Sequence, residues 1–257
     1  MKHIHFDIEK DGFYGAYWKR KEPSDCAIIA MLGDDPEDYM ARSAVKWLIE
    51  LGVNVMTMSP GKKDYGHHNY PLERVETAIS WLLAHGNKKV GITGASTTGT
   101  LAYMPFCYQH PKYWQVIAQE TKQTGSMIAS RKLFADSQVA HPIKEDEFIK
   151  VENIKGRLLV IGAEDDLLWD TAKYIHRIEK RLADISHDCR LETVVYKHAT
   201  HFVFPESMIK KMLPIGSSLF VSIAFPNSKK YKAECKAARV DIDRCVTSAI
   251  TQWKNDK

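Results

Sequence analysis

Residues 90–102 place an apolar run directly before a Gly-Ala-Ser turn, and a segment of small residues follows the turn. This pattern predicts a β-strand that turns sharply into a helix with the Ser96 hydroxyl exposed at the turn, the arrangement called a nucleophile elbow. Small residues are favoured there because the turn is strained and brings the strand close to the helix. Gly94 stands at the expected position before the serine, whereas Thr98 replaces the usual second glycine and Gly99 follows it.

Glycine-rich turns between a strand and a helix also bind phosphate groups, so the elbow has a competing interpretation. Two common phosphate-binding signatures fit this segment poorly. No lysine follows the turn as a P-loop requires, and the spacing of Gly91 and Gly94 differs from that of the dinucleotide-binding motif. The elbow is therefore favoured, with an ordinary glycine-rich turn as the structural alternative.

An acidic loop later in the chain supplies the acid that an elbow requires. Residues 157–162 form a short apolar run that predicts a buried strand, and the run leads into a loop with Asp165 and Asp166. A simple Gly-x-x-Asp reading from Gly162 selects Asp165 as the acid of a catalytic triad. The structural alternative is that this loop caps the following helix, a role that suits Asp170.

A loop with two histidines, His198 and His201, follows the next predicted strand. That strand is predicted over residues 191–196, which are rich in β-branched side chains. In an open α/β sheet, ligands bind outside the carboxyl ends of the strands. The serine, the acid and the histidine each follow a predicted strand, in the order that an elbow requires. The combined pattern favours a catalytic triad, although each residue alone has a structural interpretation.

Strand-like and helix-like segments alternate through the first half of the chain. Apolar runs at residues 26–32 and 53–58 predict buried strands. Apolar residues at helical spacing predict helices over residues 39–51 and 72–85. This alternation implies a parallel sheet with right-handed crossovers. We therefore predict an α/β fold with a mostly parallel central sheet and helices on both faces, as a single domain over residues 1–257.

Three other segments depart from this alternation. The residues up to Trp18 alternate polar with apolar side chains and predict one or two early strands. Residues 105–150 mix aromatic and polar side chains without a clean period. Such a segment favours an excursion over the active site, with a plain surface insertion as the alternative. An apolar stripe predicts a final helix over residues 237–253.

Composition excludes several functional classes. The net charge of +4 is small, and scattered lysines and arginines form no basic stripe for a nucleic acid. The five cysteines lack zinc-like spacing, and adjacent His67 and His68 are poorly placed for joint ligation, so we predict no metal and no cofactor. The sequence shows neither a signal-peptide pattern nor an apolar stretch long enough for a membrane span. We therefore expect a cytoplasmic protein without a membrane partner.

With these residues placed, the chain resembles the α/β-hydrolases. More narrowly, it resembles the catalytic domain shared by acyl-CoA thioesterases and bile-acid-CoA:amino acid N-acyltransferases, which are relatives of the dienelactone hydrolases. The resemblance extends over roughly residues 24–255. Four segments carry it, namely the elbow at 94–102, the acidic loop at 164–169, the histidine loop at 196–205 and the closing helix at 239–253.

The resemblance implies an acyl-transfer site with Ser96 as the nucleophile. It selects Asp166 over Asp165, because the family's acidic loop has a pair of aspartates followed by Leu-Trp. It also selects His201 over His198, because the family's histidine precedes an apolar run and a proline. Since the family's bile-acid transferases use cysteine, a serine nucleophile favours hydrolysis. The implied substrate is a small-molecule acyl ester or an acyl-CoA thioester.

An oxyanion hole in this fold uses two backbone N–H groups. One belongs to Thr97, after the nucleophile, and the other to the loop after an early strand, where Gly33 or Asp34 is suited. The alternatives are an acyl-CoA-dependent acyltransferase, a small-substrate esterase or peptidase, and a catalytically silent binding protein of this fold. The threonine in place of the elbow glycine, Thr98, is the feature that favours the silent protein. A homodimer, formed through an edge strand or residues 105–150, is left open.

Overall fold

The computed structural model describes residues 2–59, 70–95, 112–142, 144–145 and 148–256. The chain divides into two compact units, Met1–Met104 with Ile250–Lys257 and Pro105–Ala249. The organisation as one domain and the excursion of residues 105–150 over an active site stay predictions.

The first unit is built around a mixed sheet. Its strands are β1 (Ile4–Phe6), β2 (Gly15–Trp18), β3 (Cys26–Met31), β4 (Asn54–Met58) and β5 (Lys89–Gly94). Their order across the sheet is β1-β2-β4-β3-β5. β3 pairs in parallel with β4 and β5, whereas β2 pairs antiparallel with β1 and β4. The α/β class is confirmed. The described sheet is mixed, with two parallel and two antiparallel pairings, so the predicted mostly parallel sheet is not clearly shown.

The antiparallel part of the sheet follows from the short connection between β1 and β2. Only residues 7–14, which include the one-turn helix α1 (Ile8–Asp11), join the two strands. Phe6 at the end of β1 pairs with Gly15 at the start of β2. A parallel pairing would need a crossover of a dozen or more residues, so this connection allows only the antiparallel arrangement.

Two helices of the first unit lie where helical spacing predicts them. They are α2 (Tyr39–Glu50) and α3 (Glu73–Ala84). α2 begins after Asp38, whose carboxylate accepts a hydrogen bond from the Ala41 N–H and so caps the helix.

The core of the first unit lies on its central strands. Every residue of β3 and β4 is buried, the pattern expected for strands that are covered on both faces. Ile29 and Met56 from these strands pack with Leu82 of α3 in one apolar cluster. The faces of β3 and β4 are therefore covered by other parts of the structure.

The second unit contains a pair of parallel strands, β6 (Arg157–Ala163) and β7 (Arg190–Tyr196). Both match the predicted strands to within one residue at each end. The helix α6 (Thr171–Asp184) connects them, and Asp170 caps it by accepting a hydrogen bond from the Lys173 N–H. The predicted capping of this helix by Asp170 is therefore confirmed.

The remaining helical elements precede and follow this strand pair along the chain. They are α4 (Tyr113–Thr124), α5 (Arg131–Ala140), a 3-10 turn (Val151–Asn153), α7 (Glu206–Met212), α8 (Ser217–Ala224), α9 (Pro226–Lys230) and α10 (Lys232–Asn255). α4 and α5 lie in the segment that showed no clean period in sequence. α10 begins five residues earlier than predicted, and its end from Ile250 belongs to the first unit. None of the helices described is long and apolar enough to cross a membrane.

Candidate active site

The β6–β7 pair brings the acidic loop and the histidine loop to the same edge. The two strands run in register up to the pair Ala163 and Tyr196. One further hydrogen bond, from the Glu164 N–H to the Tyr196 carbonyl at 2.9 Å, extends the ladder past the strand ends. The two loops therefore leave their strands side by side, as the sequence predicts.

Asp166 and His201 are paired at this edge. The His201 Nδ1 lies 3.0 Å from one carboxylate oxygen of Asp166 and 3.2 Å from the other. The Asp166 side chain is 1% exposed and that of His201 is 12% exposed. Because a carboxylate only accepts hydrogen bonds, Nδ1 carries the ring proton, and Nε2 is the nitrogen that can accept a proton from another group.

Other groups of the acidic loop hold this pair in place. Asp166 Oδ1 also accepts hydrogen bonds from the backbone N–H groups of Leu168 at 2.8 Å and Trp169 at 3.3 Å. The buried Trp169 indole lies 4.6 Å from the His201 ring, measured between ring centroids. The carboxylate is therefore oriented by its own loop, and one side of the imidazole is shielded from water.

Asp165 and His198, the alternative acid and histidine, form a separate pair. Asp165 Oδ1 accepts hydrogen bonds from the Ala199 N–H at 3.1 Å and the Thr200 N–H at 2.8 Å. Its other oxygen lies 3.4 Å from His198 Nδ1. The His198 ring stacks on Tyr231 with 3.6 Å between centroids. Each histidine is thus paired with its own aspartate. The distance between the ring nitrogen and the carboxylate is shorter in the pair of His201 and Asp166.

Arg131 is a neighbour of the acidic loop that sequence reasoning missed. Its Nη1 donates to the Glu164 carbonyl at 2.7 Å and the Asp166 carbonyl at 3.2 Å, and its Nη2 lies 2.9 Å from the Asp170 carboxylate. The Arg131 N–H also donates to the Leu167 carbonyl at 3.0 Å. One arginine at the start of α5 therefore binds the acidic loop at several points. No local sequence signal marks it.

Gly33 and Asp34, the predicted oxyanion donors, follow β3 in the first unit. Gly33 has a φ of +93°, and a Cβ there would lie 2.5 Å from the Asp38 carboxylate oxygens, so glycine is required. That carboxylate accepts hydrogen bonds from the N–H groups of Asp34 at 2.8 Å and Asp35 at 3.1 Å. The Asp34 N–H is therefore engaged by Asp38. Within the part of the chain that the structure describes, the Gly33 N–H has no such partner.

Ser96, Thr97 and Thr98 lie outside the described residues, as do His67 and His68. The strand that leads to the serine is described. β5 ends at Gly94, which pairs with Met31 at the end of β3. The loop that starts with Gly33 and the segment that contains Ser96 therefore begin at the same edge of the sheet.

Neither metal ligands nor reactive thiols stand out in the described residues. No group of three or more histidine, cysteine, aspartate or glutamate side chains in those residues is arranged to hold a metal ion. Burial raises the pKa of the thiols of Cys26, Cys189, Cys235 and Cys245. A raised pKa keeps these four thiols protonated and makes them poor nucleophiles.

A family model matches the part of the chain that holds the aspartate–histidine pair. Residues 113–208 match the model described as "BAAT / Acyl-CoA thioester hydrolase C terminal". The match confirms the predicted resemblance to this α/β-hydrolase family, and the matched segment includes Asp166 and His201. No curated protein matches the chain.

Solved esterase structures resemble the chain at low sequence identity. Est1E from Butyrivibrio proteoclasticus is 15% identical over 92% of this chain and 100% of that chain, with a TM-score of 0.43. The esterase Pf2001 from Pyrococcus furiosus is 16% identical over 89% of this chain and 92% of that chain, with a TM-score of 0.47. Likenesses this distant assign neither an activity nor a substrate to this chain.

Proposed function

We propose that this chain hydrolyses ester or thioester bonds through an acyl-serine intermediate. The observation that carries the proposal is the buried hydrogen bond between Asp166 and His201 at the carboxyl ends of β6 and β7. A buried carboxylate that fixes the tautomer of a histidine is what a general base in acyl transfer needs. The nucleophile is assigned from the sequence alone, to Ser96 in the elbow pattern.

The proposed reaction has two stages. In the first, Ser96 Oγ attacks the acyl carbonyl carbon while His201 Nε2 accepts the hydroxyl proton. The tetrahedral intermediate then collapses, and the leaving alkoxide or thiolate takes that proton from the imidazolium. In the second stage, water attacks the acyl-serine with His201 again as base, which releases the carboxylic acid and restores the serine. Asp166 stabilises the imidazolium in both stages.

The oxyanion hole is assigned to the backbone N–H groups of Thr97 and Gly33. Gly33 is preferred to Asp34, because the Asp34 N–H already donates to the Asp38 carboxylate. The exposed side chain of Asp34 also keeps its charge in solvent, away from a developing oxyanion. Loss of one such donor typically costs about 3–4 kcal/mol of transition-state stabilisation.

The substrate class proposed is an acyl-CoA thioester or a related small acyl ester. The description of the matching family model supports this class. The family that the sequence resembles also contains bile-acid-CoA:amino acid N-acyltransferases, so transfer of the acyl group to an amino acid is the second candidate. A serine nucleophile favours water as the acceptor, because the resemblance links amide synthesis to cysteine.

The test is turnover of p-nitrophenyl esters and acyl-CoA thioesters by the wild type, Ser96→Ala and Ser80→Ala. Ser80 lies on the exposed surface of α3 and serves as the matched control. We expect Ser96→Ala to abolish turnover and Ser80→Ala to retain it. A fluorophosphonate probe followed by peptide mass spectrometry should label Ser96 in the wild type and in Ser80→Ala.

Two outcomes would change the proposal. Amide product on addition of an amino acid acceptor, with slower release of free acid, would identify a transferase. No turnover on any substrate and no label at Ser96 would reject the hydrolase and favour a silent binding protein with this fold.

A further inference from the structure

Thr200 has an unusual backbone conformation. Its φ of 62° lies in the left-handed region, and it is the only non-glycine residue there in the described part of the chain. That region is disfavoured for a β-branched residue. Thr200 directly precedes His201, so its backbone angles set the direction in which the His201 side chain leaves the loop.

The Asp165 carboxylate binds the backbone at this point. One of its oxygens accepts hydrogen bonds from two consecutive N–H groups, those of Ala199 and Thr200. Consecutive N–H groups that converge on one anion form a nest, in which a left-handed residue is a usual component. The Asp165 side chain is 11% exposed, so water competes little for these hydrogen bonds. The carboxylate therefore compensates for the disfavoured conformation of Thr200.

The other contacts of Asp165 are weaker. The distance of 3.4 Å between its second oxygen and His198 Nδ1 is long for a hydrogen bond. The His198 ring is held independently, by stacking on Tyr231. The strongest contacts of Asp165 are thus with the two residues that come immediately before His201.

We propose that Asp165 is a positioning residue for His201. Its carboxylate holds Ala199 and Thr200 in the conformation that brings the imidazole to Asp166. The inference rests on the proposed function, in which His201 is the general base. The two adjacent aspartates then have different roles: Asp165 fixes the backbone of the histidine loop, and Asp166 fixes the His201 ring.

The test compares kcat and KM of Asp165→Ala and Asp165→Asn with those of the wild type. Removal of the acceptor in Asp165→Ala should lower kcat by roughly 10²-fold with little change in KM, because misplacement by about 1 Å has that effect on a catalytic group. Asp165→Asn should retain most of kcat, since its carbonyl oxygen can still accept both N–H bonds. Asp188→Asn, a substitution of the same kind on an exposed loop, is the matched control.

A second substitution tests the backbone argument directly. Glycine adopts the left-handed region without strain, so Thr200→Gly in the Asp165→Ala background should recover a large part of kcat. A charge effect predicts a different pattern, in which Asp165→Asn is as impaired as Asp165→Ala and Thr200→Gly rescues neither. That pattern would overturn the inference.

A readout without turnover separates this inference from the proposed function. In protein labelled with 15N-histidine, the His201 Nδ1 proton should give an NMR resonance that Asp165→Ala loses and Asp165→Asn keeps. An unchanged resonance in Asp165→Ala would overturn the inference even if the enzyme is active. A wild type with this resonance but without turnover would reject only the proposed function. Should Asp165→Ala fail to fold, Asp165→Ser, whose hydroxyl is too short to reach both N–H groups, replaces it.

Discussion

The Asp166 carboxylate meets the His201 imidazole at 3.0 Å while only 1% of the aspartate side chain is exposed. A buried carboxylate requires compensation by hydrogen bonds. Here it is compensated by the ring Nδ1 and by the backbone N–H groups of Leu168 and Trp169. The backbone of the loop therefore holds the carboxylate in place independently of the histidine. Because the carboxylate is already fixed, it orients the His201 ring at little further entropic cost.

Substitution of Asp166 should reduce catalysis far more than binding. In Asp166→Asn, an amide NH₂ facing Nδ1 would favour the wrong tautomer of His201. We expect kcat for ester hydrolysis to fall by roughly 10³- to 10⁴-fold with a small change in KM. Steady-state kinetics measure both constants, with Asp188→Asn on an exposed loop as the control. Wild-type kcat in Asp166→Asn would remove Asp166 from the triad.

Gly33→Ala should destabilise the fold. The backbone at Gly33 has a positive φ, and a Cβ would collide with the Asp38 carboxylate that caps α2. We expect a loss of about 1–3 kcal/mol in the free energy of unfolding, measured by urea denaturation. Gly156→Ala is the matched control, because a Cβ there has no neighbour within 4 Å. Equal stability of the two variants would show that the Asp38 cap can move aside.

The sequence predicted the strands of the site well, for a physical reason. A strand that is buried on one or both faces must carry a run of apolar or β-branched side chains, and such runs end where β6 and β7 end. The polar residues that follow, Asp166 and His201, are then placed together by the parallel register of the two strands. Apolar periodicity and residue order predicted an aspartate and a histidine at this edge, whereas the resemblance to the family selected Asp166 and His201 among the candidates.

The rest could not be predicted because it depends on contacts between residues far apart in the chain. The direction of β2 depends on the length of its connection to β1 and not on its pattern of apolar residues. The hydrogen bonds from Arg131 to the acidic loop, and those from Ala199 and Thr200 to Asp165, leave no periodic signal. A Gly-x-x-Asp pattern alone therefore could not show that Asp165 binds the backbone of the histidine loop whereas Asp166 binds the His201 ring.

Arg131 should contribute to both stability and activity. Its guanidinium binds two carbonyl groups of the acidic loop and the Asp170 carboxylate. We expect Arg131→Met to lower the free energy of unfolding by about 1–3 kcal/mol, because these hydrogen bonds are lost, and to lower kcat. Arg131→Lys should recover little, since one ammonium group cannot reproduce the planar fork.

The adjacent Lys132 provides the control for Arg131. Its exposed ammonium group pairs with Asp136 at 2.7 Å on the surface of α5. Lys132→Met should change the free energy of unfolding by about 0–1 kcal/mol and leave kcat unaltered. Urea denaturation and ester hydrolysis measure the two effects. Equal effects of Arg131→Met and Lys132→Met would show that the contacts of Arg131 do not position the acidic loop.

The Glu152–Arg181 pair should make stability depend on pH. Two hydrogen bonds from the Arg181 guanidinium, at 2.5 and 2.6 Å, lower the pKa of Glu152 from its usual 4.5 to about 2. Because the pKa is lower in the folded state, the pair stabilises the protein above about pH 4.5, and this contribution is lost as the pH falls towards 2. The measurement is the urea midpoint of the wild type and Glu152→Gln between pH 6 and 3. We expect the wild type to be more stable at pH 6 and the difference to shrink on acidification; a constant difference would show that the carboxylate is not paired in solution.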